Sequence, residues 1–273
     1  MRSLSIIGAG HVGRVFGRLF SGTAFELRDV LARSPESAGR AVAFIGSGRA
    51  LHDYENLRQA DVYMLSVGDD QIVPACVALA QAVPLDGAIV FHCSGALASD
   101  HLHAARRAGA HVASVHPIRS FADPQAVATA FAGTFCGIEG DRPAVEVLNA
   151  ALQAIAARPI AIDASAKTVY HAAAVFASNY LTTVLDAALR AYQAAGIPEQ
   201  TARELAQPLV METVANVFRL GAAPALSGPI ARGDFATVER QQRAVGEWDA
   251  ATGALYQALV TPTVALARRK HNR

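Results

Sequence analysis

The chain has little of what marks a special environment. Only three cysteines, Cys76, Cys93 and Cys136, occur in 273 residues. They are far apart and odd in number, which excludes a disulfide framework and leaves no paired spacing for zinc or another metal site. They read as reduced, mostly buried thiols of a cytoplasmic protein. Charge is sparse and balanced, with 17% charged residues and a net charge of +1. Apart from Arg268-Arg269-Lys270-His271 the basic residues are dispersed, so no clustered face for nucleic acid or for a membrane surface is expected. No window reaches the ~18 uncharged apolar residues of a membrane span. The first apolar run is broken by glycines, unlike a signal peptide. A soluble protein follows as the expectation. Internal repeats and low-complexity segments are also lacking.

What the chain does have is apolar mass, 52% hydrophobic residues, and a length that fits one large domain or two modest ones. The opening Ser3-Leu4-Ser5-Ile6-Ile7-Gly8-Ala9-Gly10-His11-Val12-Gly13-Arg14-Val15-Phe16 runs an apolar strand into Gly-x-Gly-x-x-Gly and then a helical pattern. That context suits a dinucleotide. Gly8 permits the tight turn, Gly10 has no side chain to hold the backbone off a pyrophosphate, and Gly13 lets the first helix pack on its strand. The free N–H groups and dipole of the helix N-terminus then hold the phosphates, so Gly8, Gly10, His11, Val12 and Gly13 are candidate cofactor residues.

Beyond the motif, strands are expected over 26–32, 49–52, 61–67, 88–92 and 111–115, with helices over 35–44, 71–82 and 98–108 between them. The near-continuous run Asp61-Val62-Tyr63-Met64-Leu65-Ser66-Val67 is typical of a buried parallel strand. Segments 134–138 and 159–162 read as two further strands around a helix at 143–156. After Ser165 the pattern turns to long Ala-rich helices, over 167–195, 199–220, 235–245 and 248–268, broken at Gly196-Ile197-Pro198 and at 221–233. The fold class is therefore α/β, a doubly wound Rossmann domain over 1–163, followed by an all-α domain over 164–273.

In this fold a carboxylate ending the second strand binds the ribose of NAD, whereas an arginine there accommodates the 2′-phosphate of NADP. Here the strand ends Leu31-Ala32-Arg33-Ser34, with Asp29 too far back to reach. Arg33 and Ser34 can hold a phosphate, which favours NADP over NAD. A solvated surface arginine is the alternative.

Ligands of open α/β sheets bind beyond the carboxyl ends of the strands. Val67-Gly68, Ser94-Gly95 and His116-Pro117 all follow apolar runs. Ser94 can hold a substrate or cap the following helix, and His116 can act on substrate or shape a turn. On the first long C-terminal helix, Lys167, His171, Ser178 and Thr182 share one stripe, with Tyr170 and Asn179 on its margins. A solvent face would carry more Glu, Gln and Lys, so a polar cleft is expected. Lys167 and His171 are the candidate proton carriers, while Ser178 and Asn179 are candidate substrate contacts. Arg232 can clamp an anionic substrate or cap a helix.

The glycine motif, Ser94-Gly95 and Lys167-Thr168-Val169-Tyr170-His171 together resemble the 6-phosphogluconate dehydrogenase-like superfamily. It includes β-hydroxyacid dehydrogenases, pyrroline-5-carboxylate reductases and deazaflavin-linked NADP reductases. Its Rossmann-like subfamily without an assigned reaction is similar over nearly the whole chain. That similarity includes His116-Pro117, Tyr170-His171-Ala172-Ala173-Ala174, Ser178-Asn179-Tyr180 and Gly228-Pro229-Ile230-Ala231-Arg232-Gly233-Asp234. The resemblance implies NADP in the first domain and a helical second domain that forms a homodimer and completes the cleft. In the hydroxyacid branch a Ser-Gly-Gly loop binds substrate and a helical Lys moves the proton. Ala96 replaces the second of those glycines, and Tyr170-His171 stands where that branch has its His or Asn. The expected activity is hydride transfer between NADP and a small substrate, one that carries a carboxylate in the branch just named. Two rivals are a dinucleotide sensor or scaffold without turnover, and a reductase of imines or of a deazaflavin. The facing of the Lys167/His171 stripe separates the first, and the ligand beside the nicotinamide separates the second.

Overall fold

The central strands of this chain form where apolar residues run almost without a break, because both faces of the sheet are covered there. The computed structural model describes residues 1–271, with side chains to 270. Its sheet comprises β1 (Arg2–Ile7), β2 (Phe25–Leu31), β3 (Arg49–Leu51), β4 (Val62–Leu65), β5 (Ile89–His92), β6 (His111–Pro117), β7 (Phe135–Gly140) and β8 (Arg158–Ala161). Their order is β3-β2-β1-β4-β5-β6-β7-β8. The first six follow the doubly wound dinucleotide-binding order. All pairs are parallel except β6 with β7, which is antiparallel. The two expected extra strands thus extend the sheet, with a reversal that apolar patterning does not encode.

Between the strands lie α1 (His11–Phe20), α2 (Pro35–Ile45), α3 (Asp69–Ala82), α4 (His103–Arg107), α5 (Pro124–Thr129) and α6 (Arg142–Ala154), and α7 (Lys167–Val175) follows β8. Alternation along each strand serves two cores. Val62 and Met64 of β4 face the core shared with Leu4, Ile6, Phe16 and Leu148, whereas Tyr63 and Leu65 face that of Ile72, Leu79 and Leu102. The helix expected at 98–108 is a 3-10 turn, Ser99–Leu102, followed by the short α4. The unexpected α5 starts at Asp123, whose carboxylate accepts from the N–H groups of Gln125 and Ala126, with Pro124 opening the helix.

By contact the chain divides into Met1–Ser178 and Asn179–Arg273. The second unit is all helical: a π-helical turn (Phe176–Tyr180) precedes α8 (Leu181–Ala194), α9 (Glu199–Leu220), α10 (Ala222–Ala225), α11 (Pro229–Arg232), α12 (Phe235–Trp248) and α13 (Ala250–His271). One expectation needs correcting. Helical segments Ala164–Ala194 and Ala250–Lys270, with mean hydropathy 1.3 and 1.2, are long and apolar enough to cross a bilayer. Neither is an uninterrupted apolar run, but alanine, valine and leucine outweigh the scattered Ser, Thr, Tyr and His residues.

Candidate functional site

The glycine turn is built against the end of β4. Gly8 has φ +110°, a conformation that side chains resist, and a Cβ there would lie 2.5 Å from the Ser66 carbonyl oxygen. A Cβ at Gly13 would lie 2.5 Å from the Gly8 carbonyl oxygen. The Ser66 hydroxyl donates to that same carbonyl at 2.8 Å, and the Gly8 N–H donates to Leu31 at 2.9 Å, so the turn is tied to both neighbouring strands. Gly10 caps α1 without a side chain and meets nothing nearer than 3.8 Å at its Cβ position. The first-turn N–H groups, including those of His11 and Val12, therefore face an open cradle that would suit a pyrophosphate. His11 Nδ1 stands 2.6 Å from the Phe121 carbonyl oxygen, which links the turn to the segment after β6. Val67 and Gly68 lead from β4 into α3 beside Ser66.

At the tip of β2, Arg33 is exposed and makes no ion pair among the described residues. Ser34 caps α2, its hydroxyl accepting from the Ser37 N–H at 3.2 Å. The nearest strand acid, Asp29, is fully buried between Arg49 at 3.0 Å and Arg58 at 2.8 Å. Burial tends to raise its pKa, but bonds from Arg58 and Arg49 prevail and hold the carboxyl below its usual range. Asp29 is thus committed inside the fold, and the strand tip presents Arg33, with Glu36 in the first turn of α2 as the nearest exposed acid in sequence.

The third feature lies at the carboxyl ends of β5 and β6, the same edge of the parallel sheet as the glycine turn. His116 Nδ1 is 2.8 Å from the Tyr170 hydroxyl, and the His116 and His171 rings meet edge-to-face at 5.4 Å. Burial, then His171 and Lys167, bring the His116 pKa down to about 4, so it is neutral at pH 7. Burial pushes the Tyr170 phenol up to about 12. Gly95 lies directly against the two imidazoles: a Cβ there would come 2.8 Å from His116 Nε2 and closer still to His171 Nδ1. Among the described residues, His171 Nδ1 is itself buried without a hydrogen-bond partner.

Lys167 sits elsewhere than a solvent-reaching acid would. It is 2% exposed. Its ammonium donates to the Ser94 carbonyl at 3.0 Å and to the Ser114 hydroxyl, and stands 3.7 Å from the Glu139 carboxylate. Burial lowers its pKa, opposed by Glu139. Glu139 in turn accepts from the Ser99 N–H at 2.8 Å and hydroxyl at 2.7 Å. The stripe expected to face a cleft is therefore divided, with Lys167 inside the fold and Tyr170 and His171 half-buried beside His116. The Ser94 hydroxyl accepts from the N–H groups of Ala96 and Leu97, at 3.1 and 3.0 Å, and closes its own turn rather than capping a helix. His116 belongs to β6 and not to a turn. Ser178 ends the first unit on the π-helical turn. In the second unit, the Asn179 carbonyl accepts from the Thr183 hydroxyl at 3.2 Å, and the exposed Arg232 ends the short α11.

Sequence reasoning left Glu139, Ser114 and Ser99 unnoticed and did not pair Tyr170 with His116. An acid inside the otherwise apolar β7 run Phe135-Cys136-Gly137-Ile138-Glu139 was the available signal, because a buried carboxylate requires a partner.

Residues 1–117 match the model of a Rossmann-like domain, and residues 134–263 match that of a domain of unknown function, DUF2520. No curated protein matches the chain in sequence. Among solved structures, the chain is similar to protein TM1727 from Thermotoga maritima, with 25% identity, TM-score 0.73, and coverage of 98% of this chain and 99% of that one. It is similar to a candidate NADP oxidoreductase, BF3122, from Bacteroides fragilis, with 21% identity, TM-score 0.80, and coverage of 100% and 98%. An imine reductase from Myxococcus stipitatus in complex with NADP+ shares 18% identity, TM-score 0.66, over 99% and 94% of the two chains. The last two likenesses establish a shared fold. The chain thus joins an N-terminal Rossmann-like domain to a C-terminal DUF2520 domain.

Proposed function

We propose that the protein is an NADP-dependent oxidoreductase acting on a small carbonyl or imine compound. The observation that carries this is the side-chain-free cradle at Gly8, Gly10 and Gly13, which opens on the same sheet edge as the Gly95–His116–Tyr170–His171 cluster. Arg33 and Ser34 at the tip of β2, with Asp29 withdrawn, support NADP over NAD. The names of the structural neighbours point the same way.

When bound, the nicotinamide exchanges a hydride with a carbon atom of the substrate. The chain has to orient that carbon and move a proton at the adjoining oxygen or nitrogen. We assign the neutral tautomer in which the Tyr170 hydroxyl donates to His116 Nδ1, leaving Nε2–H on the Gly95 side. In reduction, Nε2 gives its proton to the substrate heteroatom, Nδ1 takes the Tyr170 proton, and the half-buried Tyr170 is reprotonated from solvent. After product leaves, loss of the Nδ1 proton and uptake of one at Nε2 from water restore the starting tautomer. Oxidation runs in reverse. An imine substrate is favoured over a keto acid by one feature: in the first unit the Lys167 charge is already matched by Glu139 and His116 is neutral. Neither of these two side chains is left as a free cation for a carboxylate.

The apolar side chains exposed on the second unit support a homodimer, and the three free thiols support a cytoplasmic location. The decisive experiment is a titration of the purified protein with NADPH and with NADH, repeated for Arg33→Ala. NADPH should bind more tightly than NADH, and the variant should lose about tenfold in NADPH affinity alone, a loss of about 1.4 kcal/mol. Absence of binding by either nucleotide overturns the proposal.

A further inference from the structure

The turn Cys93-Ser94-Gly95-Ala96-Leu97 accounts for its backbone donors almost completely. Cys93 N–H donates to the Leu65 carbonyl at 3.3 Å, Ser94 N–H to His92 Nδ1 at 3.2 Å, and those of Ala96 and Leu97 to the Ser94 hydroxyl. Among the described residues, the Gly95 N–H has no hydrogen-bond partner. On the other side of the same peptide unit, the Ser94 carbonyl is held at 3.0 Å by the Lys167 ammonium and also accepts from the Ser114 hydroxyl at 3.3 Å. The described residues contain no cis peptide, and in a trans unit the C=O and N–H point in opposite directions. Drawing the carbonyl inward to the buried lysine therefore turns the Gly95 N–H outward, at a residue packed directly against His116 Nε2.

We infer that Lys167 is a positioning residue and not the proton donor: by fixing the Ser94 carbonyl it holds out the Gly95 N–H as a donor to the substrate heteroatom beside His116. This rests on the oxidoreductase reading above and assigns its substrate an uncharged acceptor, a carbonyl oxygen or an imine nitrogen. A charge-assisted bond to a carbonyl is strong enough to hold a peptide plane. The lysine is otherwise engaged, donating to the Ser114 hydroxyl and ion-paired with Glu139 at 3.7 Å, and only 2% of its surface is exposed. Delivering a proton to substrate would require breaking that arrangement and leaving Glu139 unpaired inside the fold.

The test labels serine carbonyls with 13C and glycine amides with 15N. An HNCO spectrum then shows only the Ser–Gly pairs Ser21-Gly22, Ser47-Gly48, Ser94-Gly95 and Ser227-Gly228. Lys167→Met combined with Glu139→Gln removes both charges, so that no lone buried carboxylate unfolds the protein. The Ser94–Gly95 cross-peak is expected to shift in this variant without any ligand, while the other three stay in place. Cyclohexanone, a neutral carbonyl probe, is then titrated with and without NADP+. It should move the same cross-peak in the native protein, and the midpoint should rise about tenfold in the variant, as for the loss of one hydrogen bond. A cross-peak indifferent to the double substitution, one that the ketone leaves unmoved, or equal midpoints in the two proteins overturns the inference. Failure of the nucleotide to bind sinks the oxidoreductase reading separately, because the ligand-free spectra and the ketone titration without NADP+ do not depend on it.

Discussion

The two units of the chain use similar apolar content in opposite ways. In the first, Phe16, Phe20, Phe25, Tyr63, Phe91 and Phe131 are all but fully buried, on one or other side of the sheet. In the second, the buried hydrophobic side chains among the described residues are Ala202, Ala206, Val238 and Ala267, while Leu209, Met211 and Phe218 are 57%, 62% and 86% exposed. A sheet with helices on both faces closes its own core. A set of helices whose apolar surface exceeds what the set can cover leaves that surface for another body. The first unit therefore covers its large apolar side chains by itself, and the candidate chemistry of Gly95, His116, Tyr170 and His171 is placed on it.

Substitutions can sharpen or break this contrast. The largest effect is expected from Lys167→Met alone, which leaves Glu139 as an unpaired buried carboxylate and should remove about 3–5 kcal/mol from the urea unfolding free energy. Adding Glu139→Gln should restore most of that loss. Equal stability of the single variant and the native protein would show that this interior is less closed than its burial implies. Acid comes next. His92 is fully buried and, through desolvation, titrates at about 4 rather than 6.5. It stays neutral in the folded protein while the unfolded chain takes up a proton, so stability present above pH 6.5 should fall by about 3 kcal/mol by pH 4. His116 should add to the loss in the same window. Urea titrations at pH 7.5 and 4.5, native against His92→Asn, check the sign.

A smaller effect, about 1–3 kcal/mol, is expected from Gly13→Ala, whose methyl would crowd the Gly8 carbonyl. Thermal melts with and without NADPH should show both a lower midpoint and a smaller ligand-induced rise. The smallest effect on stability is expected on the helical unit. Leu209→Asp with Phe218→Asp should change unfolding by no more than about 0.5 kcal/mol per site, yet sedimentation should show the dimer replaced by monomer. A native protein that sediments as a monomer would remove the proposed role of that surface.

Much of the frame was legible because it depends on local pattern. Gly8, Gly10 and Gly13 declare their turn through spacing alone, and β4 declares its burial through an unbroken apolar run. The helix α9 falls on the expected 199–220, because Pro198 and Gly221 bound it. Less was legible at the candidate site. His116 and Tyr170 are separated by 54 positions, and nothing near either residue names the other. Lys167 stands out for its polarity on an apolar helix, but Glu139 and Ser114, which decide what its ammonium does, lie on distant strands.

The sequence by itself determined the doubly wound sheet, the glycine turn, the arginine at the tip of β2 and the helical character of the second half. These follow from periodicity, glycine spacing and strand-end chemistry, which act over a few residues. Only the tertiary structure decided the reversed β7, the withdrawal of Asp29 between two arginines, and the burial of Lys167 behind the Ser94–Gly95 peptide. Each depends on which distant strands and helices come together, and the state of a charged or polar side chain is set by those neighbours and by desolvation rather than by its place in the chain.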